Sequence, residues 1–156
     1  MPEPRLLLLI PAYNEEARIG PVLRELGHYF QGNYQGEFQF VVVLNGCRDN
    51  TRGVVEAVAK SFPFIRFLDF PDPIGKGGAL IEGLKLASEA EIVGYVDADG
   101  ATPPAAFHAL AKRTERSRLY YRVALVAGSG AASGAAVGAP LHQPLLPSRR
   151  ANVALG

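Results

Sequence analysis

The chain has 156 residues, 48% of them hydrophobic and 20% charged, with a net charge of +1, the make-up of one globular domain with a real core. Its single cysteine, Cys47, excludes an intramolecular disulfide and suits a reducing compartment. The basic residues are scattered without interleaved aromatics over an acidic main body, which argues against a nucleic-acid partner.

Leu6 to Ile10 is an uninterrupted apolar run, too short for the core of a signal peptide and followed at once by Pro11, so it reads as a buried strand. Ile19, Val22, Leu23 and Leu26 then recur at helical spacing. Between strand and helix lies Pro11-Ala12-Tyr13-Asn14-Glu15-Glu16. Asn14 suits the helix N-cap, with acids behind it to complement the helix dipole. The same loop offers a second chemistry. The Tyr13 ring can lie against a base or ribose, and the Glu15 carboxylate can accept from their hydroxyl or N–H groups.

Phe38 to Leu44 is a second buried strand, ended by the turn formers Asn45-Gly46 and Asp49-Asn50. Asp49 or Asn50 can cap the helix that carries Val54, Val55, Val58 and Ala59. No histidine partner is evident near Cys47, so a partly buried, inert thiol fits it better than a nucleophile. Phe64 to Phe70 alternates and predicts a third strand nearer the sheet edge, stopped by Pro71-Asp72-Pro73. Gly75-Lys76-Gly77-Gly78 then opens a helix whose predicted apolar face is Leu80, Ile81, Leu84 and Ala87. Two readings of this glycine-rich start stand side by side. It is either a flexible connection with a solvated lysine, or a diphosphate cradle in which backbone approaches closely, the helix N-terminus attracts anions and Lys76 adds a point charge. The spacing is not that of a Walker A loop.

Glu91 to Val96 predicts the fourth strand, and it runs into Asp97-Ala98-Asp99-Gly100. Two carboxylates one residue apart, where a buried strand ends, suit Mg²⁺ or Mn²⁺ shared with the phosphates of a substrate; the alternative is an Asx-capped turn. Pro103 or Pro104 then suits the first position of a helix through Phe107, Leu110 and Ala111. Strands alternating with helices, with every polar loop at a strand's carboxyl end, predict a doubly wound α/β sheet with helices on both faces. The four loops converge on one edge, where open α/β sheets bind ligands.

Taken together, Ile10-Pro11-Ala12-Tyr13-Asn14-Glu15-Glu16, Val43-Leu44-Asn45-Gly46-Cys47-Arg48-Asp49-Asn50-Thr51, Gly75-Lys76-Gly77-Gly78-Ala79 and Val96-Asp97-Ala98-Asp99-Gly100-Ala101-Thr102 resemble the motifs of family 2 glycosyltransferases, in order and spacing. The Asp-Ala-Asp-Gly-Ala-Thr wording is most similar to the dolichyl- or polyprenyl-phosphate β-glucosyltransferases, with the corresponding mannosyltransferases next. The resemblance covers about residues 5 to 115. It implies a GT-A, Rossmann-like, mostly parallel sheet. It also implies metal-dependent, inverting transfer of a hexose from UDP-glucose or GDP-mannose to a polyprenyl phosphate. Carried over by position, it places Pro11, Ala12, Tyr13, Glu15, Asn45, Lys76 and Asp97 around the nucleotide and gives the Mg²⁺ or Mn²⁺ to Asp97 and Asp99. An acceptor phosphate is already nucleophilic and needs little help from a base, and no general base is identifiable. The implied partners are the nucleotide-sugar donor, the polyprenyl-phosphate acceptor and a membrane surface, with the chain cytoplasmic and peripheral at the cytoplasmic face. One departure stands out: many relatives carry two consecutive aspartates and a glycine where this chain has Leu44-Asn45-Gly46, so an amide replaces a carboxylate that would read the base.

The remainder is different material. Residues 1–115 carry 11 basic and 15 acidic groups, whereas residues 116–156 carry 5 basic and none acidic. Residues 123–141 are uncharged, small and low in complexity. They suit a poorly ordered segment better than a weakly hydrophobic membrane span. The surge of Ala, Gly and Arg leads to a third expectation, that the chain is truncated or frame-shifted between Arg113 and Val123. Two domains of sequence follow: 1–115, the nucleotide-sugar-binding half of an incomplete GT-A domain, and 116–156, a poorly ordered or non-native tail. Two other functions share the metal-diphosphate logic: a non-catalytic nucleotide-binding fragment and a sugar-phosphate nucleotidyltransferase. The latter class usually carries a Gly-rich loop where this chain has Pro11-Ala12-Tyr13-Asn14.

Overall fold

A computed structural model describes residues 2–116, 125–128 and 152–154 of the chain. Its order is β1 (Leu6–Ala12), α1 (Ile19–Asn33), β2 (Phe38–Asn45), α2 (Thr51–Ala59), β3 (Ile65–Phe70), α3 (Gly75–Leu84), β4 (Ile92–Val96), α4 (Pro104–Arg116), β5 (Leu125–Gly128) and β6 (Asn152–Ala154). The strands form one sheet in the order β5-β4-β1-β2-β3-β6, parallel throughout except for β6, which runs antiparallel to β3. This is the GT-A-type, doubly wound α/β architecture expected from the alternation of strands and helices. Seven residues from the stretch after 115, those of β5 and β6, add its two edges. The rest of that stretch, including most of the low-complexity segment, lies outside the described residues.

Continuous apolar strands arise because both faces are covered. Side chains alternate across the pleat, so Leu6, Leu8, Ile10, Phe40, Val42 and Leu44 join Ile19, Leu23, Phe30, Val55 and Phe107 in one core. The intervening Leu7, Leu9, Val41, Val43 and Val93 join Leu68, Phe70 and Ala79 in a second core beneath α3. Direction explains why α3 takes the other face. The chain steps from β1 to β2 to β3 one way, then reverses past β1 to β4, and right-handed crossovers put helices of opposite travel on opposite faces. The reversal leaves a switch point between β1 and β4. The β1–β4 ladder stops at Leu9 opposite Tyr95, while β1 continues beside β2 to Ala12 opposite Leu44.

That extension corrects the expected strand end at Ile10. Pro11 stays in β1 because one flank of the strand is already open there, a position where a missing N–H is tolerated. α3 departs from expectation as well. Ile81 is 55% exposed, while Leu80, Leu84 and, just past the helix, Ala87 pack on the second core as expected, beside buried Ala79 and Gly83. At Gly83 the helix lies so close to the sheet that a Cβ would meet the Leu9 side chain at 2.8 Å, so a small residue is required there.

Candidate active site at the carboxyl edge of the sheet

Pro11, Ala12, Tyr13, Glu15, Asn45, Lys76, Asp97 and Asp99 all line one open cleft of about 210 Å³, together with Ala98. The cleft sits at the switch point, where β1 and β4 part and ligands of such sheets bind. The sequence brings the acids together; Ala98, buried between them, carries no charge to signal its part in the wall.

Each loop is held by its neighbour. Asn14 does not cap α1, which begins only at Ile19; it takes a left-handed conformation (φ 50°), and its Oδ1 accepts from the backbone N–H of Arg48 and Asp49 at 2.8 and 3.4 Å. In return Asp49 Oδ2 accepts from Glu16 N at 3.2 Å, Glu16 Oε2 from Asn50 N at 3.2 Å, and buried Thr51 Oγ1 from Glu15 N at 2.9 Å. The predicted cap was thus spent on joining two loops. Asp49, not Asn50, supplies the acceptor at the start of α2, taking Thr51 N at 3.0 Å and the Thr51 hydroxyl at 2.5 Å. The Thr51 hydroxyl bond holds the Asp49 carboxyl below its ordinary value. Glu15 is pinned in turn by a bidentate pair with Arg18, at 2.7 and 2.8 Å, which neutralises its charge in the wall of the cleft. Tyr13 projects with 55% of its surface exposed, an aromatic face open to a ligand. Cys47, half-buried, donates to the Ala12 carbonyl at 3.4 Å, in keeping with an inert role.

Asn45 and Gly46 meet the third loop. Asn45 is buried, and its Oδ1 accepts from Ile74 N at 2.7 Å, just before the glycine-rich start of α3. Gly46 (φ 66°) has no room for a side chain, since a Cβ would stand 2.7 Å from Pro73 N. The Asn-Gly pair therefore fixes the approach of the loop that delivers Lys76. Lys76 Nζ reaches Asp97 Oδ1 at 2.5 Å and lies 5.4 Å from the centre of the Tyr95 ring. Its hydrogen bond to Asp97 raises the Lys76 pKa above the ordinary value, outweighing partial burial. Asp99 Oδ1 accepts from Ala101 N at 2.9 Å, closing a turn in which Gly100 takes φ 76°. The Asx-turn reading of Asp99 therefore holds, and it leaves a second oxygen for another role, because a carboxylate offers about four lone-pair sites.

Among the described residues no three acidic, His or Cys side chains gather into a metal-holding group. Two carboxylates suit Mg²⁺ or Mn²⁺ only where ligand phosphates and water complete the shell, which is the way Mg²⁺ is commonly held beside phosphates. The donor set at Asp97 and Asp99 fits that arrangement.

The chain matches the glycosyl transferase family 2 profile over residues 8–136. It belongs to glycosyl transferase family 2. The match continues 21 residues past position 115, where the composition changes. Among curated relatives, family members similar to it include a dolichyl-phosphate beta-glucosyltransferase of Trichomonas vaginalis, 38% identical over 127 residues, covering 79% of this chain and 37% of that protein. A bactoprenol glucosyl transferase of Shigella phage SfV is 31% identical over 125 residues, covering 72% and 40%. Among solved structures, a mannosyltransferase from Pyrobaculum calidifontis in complex with GDP-Man and Mn²⁺ aligns with a TM-score of 0.52 at 28% identity, covering 62% of this chain and 28% of that one. The chain thus spans under half the length of these curated relatives.

Proposed function

We propose that the chain forms the donor-binding part of a glycosyltransferase that moves glucose from UDP-glucose to a polyprenyl phosphate with inversion. One observation carries this reading. The side chains that would hold a nucleoside diphosphate all line one cleft at the switch point of the sheet, and they include two carboxylates and one ammonium. The dolichyl-phosphate and bactoprenol glucosyl transferases among its relatives support a lipid-phosphate acceptor and a glucosyl donor. The GDP-Man and Mn²⁺ complex of the similar mannosyltransferase supports a divalent ion and keeps GDP-mannose as the second reading of the donor.

In this mechanism Tyr13 stacks on the base or ribose, while Glu15, fixed by Arg18, accepts from base or ribose donors. Asp97 and Asp99 would hold a Mg²⁺ or Mn²⁺ ion, whose charge would stabilise the departing diphosphate. Lys76, which lines the same cleft, faces the leaving group with positive charge. The acceptor phosphate attacks the anomeric carbon from the opposite side as the bond to the diphosphate breaks, and it brings its own negative oxygen, so no base need be supplied by the cleft. Position 45 offers an amide whose carbonyl serves Ile74, so its NH2 group is the part offered to the ligand, as a donor. No described helix is long and apolar enough to cross a membrane. A lipid-phosphate acceptor would bring the protein to the cytoplasmic membrane face.

Calorimetric titration of the whole chain with UDP and with GDP, each with and without Mn²⁺, tests the reading. Metal-dependent binding of UDP in preference to GDP is expected. The reverse preference would move the donor to GDP-mannose, and absence of binding by both nucleotides would overturn the assignment of the cleft.

A further inference from the structure

Among the described residues Lys76 is the one cation within ion-pair distance of Asp97, and the two meet at 2.5 Å. The contact is open rather than locked, with side chains 52% and 31% exposed. Lys76 stands on a flexible four-carbon stem between Gly75 and Gly77, and a Cβ added at either glycine would meet nothing within 4 Å. The ammonium is held by that one ion pair and by the Tyr95 ring, whose centre lies 5.4 Å away.

The charges in the cleft then set a constraint. Glu15 is neutralised by Arg18 and Asp97 by Lys76, which leaves Asp99 as the one lining carboxylate without an ion pair among the described residues. A divalent cation that shared Asp97 with Lys76 would be pressed against a like charge at close range. It takes Asp97 more readily once Lys76 moves away, and Lys76 loses its counter-charge unless another anion is present. A diphosphate in the cleft that Lys76 lines is such an anion.

We propose that Lys76 is an exchangeable counter-ion: it occupies Asp97 in the empty cleft and passes to the diphosphate when the donor binds, so that metal and nucleotide bind together rather than independently. The inference rests on the donor-site reading of the cleft and adds a coupling between its two ligands. By linkage, the factor by which UDP tightens Mn²⁺ must equal the factor by which Mn²⁺ tightens UDP.

Mn²⁺ binding to the whole chain, followed by the electron paramagnetic resonance of free Mn²⁺, tests this in the presence and absence of UDP. Wild type is expected to bind Mn²⁺ alone weakly and to tighten with UDP. Lys76→Gln should bind Mn²⁺ alone roughly tenfold more tightly, within the usual range of coupling between sites, and should lose most of the tightening by UDP. Lys76→Arg keeps the charge and should keep the weak binding of Mn²⁺ alone, and circular dichroism melts check that each variant is folded. Unchanged or weaker Mn²⁺ binding in Lys76→Gln would overturn the proposal, as would independent binding of Mn²⁺ and UDP in wild type. If wild type binds no UDP under any condition, the donor reading fails, while the comparison of Mn²⁺ alone in wild type and Lys76→Gln still decides whether Lys76 guards Asp97.

Discussion

The two ends of the sheet each carry a carboxylate paired with a nitrogen-bearing side chain, and the two pairs are built oppositely. At the carboxyl edge Lys76 and Asp97 meet in an open cleft, with one hydrogen bond joining exposed groups. At the amino edge Glu3 and His108 meet with side chains only 11% and 5% exposed. There Glu3 Oε1 contacts His108 Nε2 at 2.6 Å, Glu3 Oε2 accepts from Gln35 N at 2.7 Å, and His108 Nδ1 shares a hydrogen bond with the Tyr29 hydroxyl at 3.0 Å. Tyr34 adds a hydrogen bond from its hydroxyl to the Pro4 carbonyl at 2.5 Å. That network ties the N-terminal segment to α4 and to the turn before β2. An ion pair whose every polar atom is matched holds structure, whereas one left half in water is free to exchange partners. The difference separates a part of this molecule that holds the fold from the part proposed to bind the donor.

The largest effect expected from breaking the comparison is on the open side. Asp97→Ala should weaken metal-dependent UDP binding by about 100-fold or more, the upper range even for groups that only support a metal ligand. Its thermal stability should change by less than about 1 kcal/mol, because an exposed pair contributes little. Calorimetry and a denaturant melt on the same sample separate the two. His108→Ala should do the reverse: unfolding free energy falls by about 2–3 kcal/mol, since Glu3 and the Tyr29 hydroxyl lose a buried partner, while UDP affinity stays within about twofold. Loss of nucleotide affinity in that variant would show that the two edges are coupled.

A smaller effect concerns acid. Burial pushes the Glu3 carboxyl upward, but the Gln35 N–H, the His108 hydrogen bond and the charges of His108 and Lys112 outweigh it, and its pKa lies below the ordinary 4.5. A carboxylate lowered in the folded state contributes stability that is present above its unfolded value and is lost as pH falls through the folded one. Wild type should therefore lose stability below about pH 4.5, and Glu3→Gln should lack that component while starting from a lower plateau at neutral pH. Parallel acid titrations of the two proteins would show it; identical slopes would remove Glu3 from the amino-edge network.

The central sheet was legible in the sequence because its strands are buried on both faces and so read as uninterrupted apolar runs. Phe38–Asn45 and Ile92–Val96 came within a residue of their predicted limits for that reason. The carboxyl-edge loops were legible because turn formers, glycines and acids cluster locally in sequence. What the sequence did not show is how a side chain chooses among competing partners. Asn14 looked like a helix cap until the second loop supplied two N–H groups for its carbonyl. Ile81 fitted the helical period but lies exposed, while the close approach of α3 to Leu9 requires a small residue at Gly83. The amino-edge network left no local trace at all, since Glu3 and His108 are 105 positions apart and neither sits in a recognisable pattern.

The most direct test of the division between the two edges is an amide nitrogen–proton correlation spectrum of the labelled chain, recorded as UDP and Mg²⁺ are added together. Shifts confined to the amides of Ala12, Tyr13, Glu15, Lys76, Ala98 and Asp99, with those of Gln35, Gly36 and His108 unmoved, are the predicted result. Shifts centred on the amino edge, or none near Asp97 at saturating UDP and Mg²⁺, would contradict it.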